Sequence, residues 1–476
     1  MTGTGTRTAP GTGTDTAPGT GTSPGSFVGL SEVRRARGLL VQPRMGFSDP
    51  GQMRRGLAAT RAARAATVGT LTLDSYTRVK DYASVERALA EGIPLNGYPL
   101  VTHGVATTRE VLDSLRGPAF PVQVRHGSPL PDDIFATLVA AGLDATEGGP
   151  VSYCLPYSRV PLAVATEAWA RCCEQFARLR DEHGTEPHLE SFGGCMMGQL
   201  CPPSLLIAIT LLEGLFFHQH GIRSVSLSFA QGTDRRQDEE AIGVLRALAT
   251  EFLPRGTDWH IVLYTYMGKY PRTRAGGLHL LGEAAELAVR GGAARLIVKT
   301  PAESQRIPTV EENVEALEFA GAAAAAAEEA AEAEKAAPED GTPAPLPDTG
   351  IAAEARLLVE AVLDLDADIG KALVTAFAKG YLDVPYCLHA DNRGRARGYI
   401  DAAGRLAWAS VGAMPLRGVT GGGGREHRVG STELLTALSY VERTHDRLAL
   451  RGGASDHPGA HHEVDAGTTA SDLRQA

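Results

Sequence analysis

Five segments of this chain place charged side chains just past a short apolar run. QPRMG carries Arg44, DSYTR carries Arg78 and QVRHG carries Arg125 with His126. EGGPVSYCLPY carries Glu147, Tyr153 and Tyr157, and VKTPAES carries Lys299 and Glu303. Arginine binds a carboxylate as a planar two-pronged fork. Several arginines around one site repel each other and are penalised by desolvation unless anions lie among them. The carboxylates available are Glu147, Glu303 and, less directly, Asp74. A ligand with two carboxylates would supply the missing anions, each contact contributing roughly 1.5 to 3 kcal/mol. Glu147 then answers an ammonium, and the combined charges are those of an acidic amino acid. For any one arginine the competing reading is a salt bridge to a neighbouring loop; for Tyr153 and Tyr157 it is packing at a rim.

Strand ends converge in this way in a parallel barrel, whose loops after the strands form one mouth. The apolar runs are Leu39–Arg44, Val68–Asp74, Ile93–Tyr98, Pro121–Arg125, Ala145–Glu147, His188–Phe192, Ser224–Phe229, His260–Tyr264 and Leu296–Lys299. Helical stretches alternate with them, such as Thr107–Leu115, Asp132–Ala141, Leu162–Arg178 and Glu239–Glu251. This alternation predicts an α/β fold, a TIM (β/α)8 barrel, with nine candidate strands of which one is an extra. A smaller C-terminal α+β domain follows: helices over Ala352–Leu365 and Lys371–Gly380, a short β-rich lobe, and one helix over Ser431–Leu448. The predicted organisation is a disordered Thr/Gly/Pro-rich tail over 1–27, with APGTGT twice, and the barrel over 28–319. An exposed Ala/Glu-rich helix and Pro-rich linker over 320–350, the C-terminal domain over 351–451 and a disordered tail over 452–476 complete it.

The chain has 476 residues, 46 Lys plus Arg against 56 Asp plus Glu, and a net charge of −10. That acidic balance argues against nucleic acid or an anionic membrane as partner and makes clustered arginines more informative. Six cysteines without a CxxC pair, and no basic segment followed by an apolar run at the N-terminus, predict a reduced, cytoplasmic protein. No apolar stretch is long enough for a membrane span. Neither GxGxxG after a strand nor GxxxxGK[ST] occurs, and His218, His220, His461 and His462 lack metal-ligand spacing. Gly148, Gly149, Gly193 and Gly194 follow two of the strands, where bare backbone would admit a large flat cofactor or simply allow a turn.

Taken in order, QPRMG, DSYTR, LNGYP, QVRHG, EGGPVSYCLPY, MGKYP and VKTPAESQRIPT resemble the large epsilon subunit of glutamate mutase, also called methylaspartate mutase. The match runs from about Gly38 to Thr309 and, more weakly, through DVPYCLHADNRGR to Met414. The resemblance implies a TIM barrel isomerase that uses adenosylcobalamin in a radical carbon-skeleton rearrangement between L-glutamate and L-threo-3-methylaspartate. It implies that Arg44, Arg78, Arg125 and His126 hold substrate carboxylates. Glu147, with Tyr153 and Tyr157 beside it, would face the amino group and act on it as a base. Gly46, Asn96, Pro156, Tyr270, Lys299, Glu303 and Ile307 match positions that contact the cofactor; Tyr270 stands where the family more often has phenylalanine. The cobalt-ligating DxHxxG belongs to a separate small subunit, and Asp258-Trp259-His260 lacks the glycine and lies in a strand. The expected partner is therefore that cobalamin-binding small subunit, in an assembly of two large and two small chains. Departures occur at SFGGCMMG, TYMGKY and GTDRRQD, where the family reads PFGPLTG, HQWMGG and GNMIQD. Alternatives are a related cobalamin-dependent mutase with another substrate, a silent cobalamin-binding scaffold, and an aldolase or lyase using Lys299 as a Schiff base.

Overall fold

The computed structural model describes residues 27–117, 120–196, 200–336, 348–419 and 427–452. The predicted tail over 1–26, most of the Pro-rich linker and the tail from 453 lie outside the described residues. Eight parallel strands form one sheet: β1 (Leu40–Pro43), β2 (Gly69–Thr72), β3 (Val122–Arg125), β4 (Ala145–Gly148), β5 (His188–Ser191), β6 (Ser224–Ala230), β7 (Asp258–Tyr264) and β8 (Arg295–Val298). The order β1-β8-β7-β6-β5-β4-β3-β2 curls round until β1 meets β2 at the bridge Val41–Thr67. There Val41 N–H donates to Ala66 O (2.8 Å) and Val68 N–H to Val41 O (3.1 Å). The architecture is a TIM-like barrel.

The helices in chain order are α1 (Leu30–Arg37), α2 (Pro50–Ala62), α3 (Ser75–Arg78), α4 (Tyr82–Ala90), α5 (Leu100–Leu112), α6 (Asp132–Ala140), α7 (Leu162–His183), α8 (Pro203–Gln219), α9 (Arg235–Phe252), α10 (Arg274–Arg290) and α11 (Val310–Ala336). Beyond the barrel lie α12 (Ile351–Leu363), α13 (Ile369–Lys379), the antiparallel pair β9 (Arg397–Ile400) and β10 (Leu406–Ser410), α14 (Ser431–Leu438) and α15 (Tyr440–Gly452).

The extra candidate strand is Ile93–Tyr98. It forms no strand: Pro94 lacks a donor, and only Tyr98 reaches the sheet, its N–H donating to Thr72 O at 2.8 Å. Phe27, grouped with the tail by composition, is buried at 1% exposure and closes the bottom of the barrel. Its ring stacks on His188 at 5.2 Å and lies 5.0 Å from the Arg295 guanidinium carbon. The Ala/Glu-rich segment is helical and continues α11; Ala320 and Ala324 at its start are buried, and residues 325–334 are half-buried to exposed. The single helix expected over 431–448 is two, α14 and α15.

Helix α8 shows why the C-terminal elements are needed. Its sequence, PSLLIAITLLEGLFFHQ, is apolar all round, which an outer helix tolerates only when covered on both sides. The inner side packs on β5 and β6, and α12 and α13 cover the outer side, so one apolar core runs from the strands to Leu358, Val359 and Phe377.

Candidate active site

Side chains alternate along a strand, so Val122 and Val124 of β3 face the helices while Gln123 and Arg125 point into the barrel. Glu147 of β4 sits in register with Glu190 of β5. The resulting interior is polar and, across its lower layer, fully satisfied. Arg295, with no exposure, donates Nη1–H to Gln42 Oε1 (2.5 Å), Nη2–H to Ser226 Oγ (3.0 Å) and Nε–H to His260 Nε2 (3.1 Å), and pairs with Glu190 Oε2. Gln123 Nε2–H donates to Glu190 Oε2 at 3.2 Å. Burial, and then Arg295, hold His188 and His260 well below the ordinary imidazole range, so both are neutral.

The layer above is the candidate site. Arg125 Nε donates to Glu147 Oε2 at 2.8 Å, with the two side chains 5% and 2% exposed. Tyr153 donates to Glu147 Oε1 (2.5 Å) and Tyr264 to Glu147 Oε2 (2.7 Å), and the Tyr264 hydroxyl also contacts Glu190 Oε1. Tyr264 thus links the site to the Arg295 network below. Burial, followed by Glu147, raises both phenols well above their ordinary range, so they act as donors. Burial opposes the Arg125 charge, but Glu147 outweighs it and the guanidinium stays protonated.

Towards solvent the cations lose their partners. His126 accepts from Ser128 N–H at Nδ1 (3.0 Å), which puts its proton on Nε2, and that buried Nε2 has no hydrogen-bond partner among the described residues. Burial, and then Arg78, push its pKa down to about 3, so it is a neutral donor. Arg78 makes no ion pair among the described residues; it lies 5.5 Å from the Tyr157 ring and its buried Nε is unpartnered. Tyr157 in turn packs edge-on against Tyr153, with ring centres 6.1 Å apart. Lys299 lies over the Tyr270 ring at 4.5 Å, with only Gly268 O near its ammonium (3.5 Å), and burial, then Arg44, lower its pKa to about 8. Arg44 pairs with Glu303 at 2.8 Å while its buried Nε remains unpartnered. Asp74 is occupied as the cap of α3, accepting from Tyr76 N–H and Thr77 N–H, both at 2.9 Å.

The sequence-derived residues therefore gather into two groups. Arg78, Arg125, His126, Glu147, Tyr153 and Tyr157 form the inner one; Arg44, Tyr270, Lys299 and Glu303 form the outer one. Four cations in all face two carboxylates. Ile307 and Asn96 are exposed outside these groups, Asn96 accepting from Ser75 N–H (3.2 Å), and Pro156 is half-buried beside Tyr157. The glycines are required by the packing of the chain itself. A Cβ on Gly46 would strike the Thr72 carbonyl, one on Gly148 would lie 2.5 Å from Trp169, and one on Gly149 would enter the Glu213 carboxylate. Gly193 and Gly194 likewise pack on the backbones of Thr210 and Ser228.

Glu213 is the main residue the sequence reading missed, although a lone carboxylate inside an apolar helix was the available signal. It accepts from Val151 N–H (3.0 Å), Ser152 N–H (2.8 Å), Ser152 Oγ–H (3.0 Å) and Ser191 Oγ–H (2.8 Å), and so fixes the loop that follows Glu147. Burial raises its pKa to about 7 from an ordinary 4.5. The folded chain then binds more protons than the unfolded one between these values, so Glu213 makes stability fall as pH rises from about 4.5 through 7. The expected change is on the order of 3 kcal/mol. Glu213→Gln, which mimics the protonated form, should flatten this slope in urea unfolding at pH 5 and 8. An unchanged slope would rule Glu213 out as its source.

A family model described as methylaspartate mutase E chain matches residues 27–421, almost the whole of the barrel and its C-terminal cover. The chain belongs to the methylaspartate mutase E chain family. It is similar to the glutamate mutase epsilon subunit of Halobacterium salinarum, 32% identical over 391 residues that span 81% of this chain and 80% of that one. It also resembles the epsilon subunits of Desulfitobacterium hafniense (31% over 402 residues, 80% and 79% of the two chains) and Treponema denticola (30% over 368 residues, 72% and 71%). The E chain family match ends before α14 and α15, which are features of this chain outside it. No helix among the described residues is long and apolar enough to cross a membrane.

Proposed function

We propose that this chain is the substrate-binding subunit of an adenosylcobalamin-dependent glutamate mutase, an isomerase interconverting L-glutamate and L-threo-3-methylaspartate. The observation that carries the reading is the surplus of unpartnered donors at the barrel mouth. Arg44 Nε, Arg78 Nε and the Nε2–H of His126 point to anions that the described residues do not themselves supply. Two carboxylates answer these donors, and Glu147, held rigidly by Tyr153, Tyr264 and Arg125, offers its remaining lone pair on Oε1 to the ammonium between them.

The residues present also fit a large group above the substrate. Among the described residues Lys299 has only a long contact, and Tyr157 (41% exposed) and Ile307 (49%) present apolar surface to solvent at the rim. Tyr270, Lys299, Glu303 and Ile307 would hold the cobalamin, with Gly46, Asn96 and Pro156 around them. When bound, that group supplies the radical chemistry of the rearrangement. The chain's own residues hold each carboxylate in a fixed place, keep water out and leave little freedom to reactive fragments. Among the described residues no DxHxxG occurs, and the cobalt ligand would come from a small partner subunit, two of each chain forming the assembly.

Mixing the full chain with a DxHxxG small subunit, adenosylcobalamin and L-glutamate should yield 3-methylaspartate; absence of product with a small subunit active toward another epsilon chain would refute the proposal. Because the charge of Lys299 is lost as pH rises through about 8, affinity for the anionic ligands should weaken across that range. Lys299→Arg should remove this limb from the pH profile of KM, and its persistence would exclude Lys299 as the group responsible.

A further inference from the structure

We infer that His279, Glu283 and His445 form a binding site for a single divalent transition-metal ion, with zinc the best match, which ties the C-terminal helix α15 to the barrel. His279 and Glu283 stand one turn apart on α10, so they share a face, and His445 of α15 packs onto that face. The two Nδ1 atoms are 3.0 Å apart; Glu283 lies 3.7 Å from His279 Nδ1 through Oε1 and 3.7 Å from His445 Nε2 through Oε2. One donor atom from each residue falls within 4.8 Å of the other two. Bonds of about 2.05 Å in a tetrahedral zinc site separate its ligands by roughly 3.3 Å, so the widest separation in the cluster must close by up to about 1.5 Å on binding.

Two imidazole nitrogens this close either share one hydrogen or turn both lone pairs toward a cation. Glu283 favours the cation. Its carboxylate is partly buried and lies 3.7 Å from His445 Nε2. His445 turns Nδ1 to His279 and Nε2 to Glu283 and would give the ion one of the two; two nitrogens with one oxygen suit zinc while leaving a fourth position for water. His279 and Glu283, at 39% and 38% side-chain exposure, leave a path for the ion.

The site has a structural consequence. Helix α15 grips the loop between β7 and α10: Glu442 pairs with Lys269 (2.6 Å) and Arg272 (2.5 Å), and Asp446 accepts from Arg272 N–H and Thr273 N–H, both at 3.0 Å. That loop carries Tyr270, against which Lys299 packs. An ion at His445 would therefore steady one wall of the mouth from outside it.

The test is calorimetric titration of the chelator-treated full chain with Zn²⁺ alone. One tight equivalent is expected, weakened roughly 100-fold or more by His279→Ala and by Glu283→Gln. These positions are exposed enough to change without disturbing the core, and circular dichroism would verify the fold. The same equivalent should survive substitution of His461 and His462 in the tail. Absence of a tight equivalent, its survival in both α10 variants, or its loss with the tail histidines would overturn the assignment.

Discussion

Arg125→Lys should lower kcat/KM for the proposed glutamate substrate by about 10- to 100-fold, with the unfolding midpoint moved by no more than a few degrees. Lysine keeps a positive charge near Glu147, which protects the fold from a buried, unpaired carboxylate. It cannot reproduce the geometry. Arg125 gives its Nε–H to Glu147 and an Nη2–H to the Tyr264 hydroxyl (3.5 Å), which leaves Nη1 for a second anion. An ammonium on a flexible stem satisfies one carboxylate at a time. Steady-state kinetics alongside thermal unfolding separate the two effects, and a variant with full activity would refute the proposed clamp.

The second large effect belongs to stability. Arg295→Met preserves length and most of the volume but leaves Glu190 in the barrel interior, at no exposure, without a cation. Removing one member of such a pair costs about 3 to 5 kcal/mol. The double variant Arg295→Met with Glu190→Leu should recover much of the loss, since no buried charge then lacks its partner. Urea unfolding of the single and double variants gives the coupling directly. A single variant within about 1 kcal/mol of the parent would mean that the network is not load-sharing in this way.

Most strands were legible because parallel strands are buried on both faces and read as apolar runs between helices. Ile93–Tyr98 has the same apolar letters, yet Pro94 and the close approach of Gly97 to Leu73 allow it only a bridge. The outward-facing half of each strand carried the signal, and the inward half concealed the chemistry. Gln42, Gln123, Glu190 and Arg295 are isolated polar letters that look like solvent positions until the sheet closes and turns them toward one another. The mouth residues were recognisable from position and type. Their pairing was not, because Arg125 with Glu147 and Arg44 with Glu303 depend on which strands are neighbours around the ring. His445 and His279, 166 positions apart, were invisible as a pair for the same reason.

Closure of the ring also bears on how the chain is made. β8 is the strand that joins β1 to β7, and it is the last of the eight to leave the ribosome. Until it arrives, two strand edges are open to pairing with other chains, and Glu190 waits for the arginine that neutralises it. At usual elongation rates the interval between β1 and β8 lasts on the order of tens of seconds. Gene fragments ending before Arg295 should therefore accumulate as aggregates, however much of the barrel they encode.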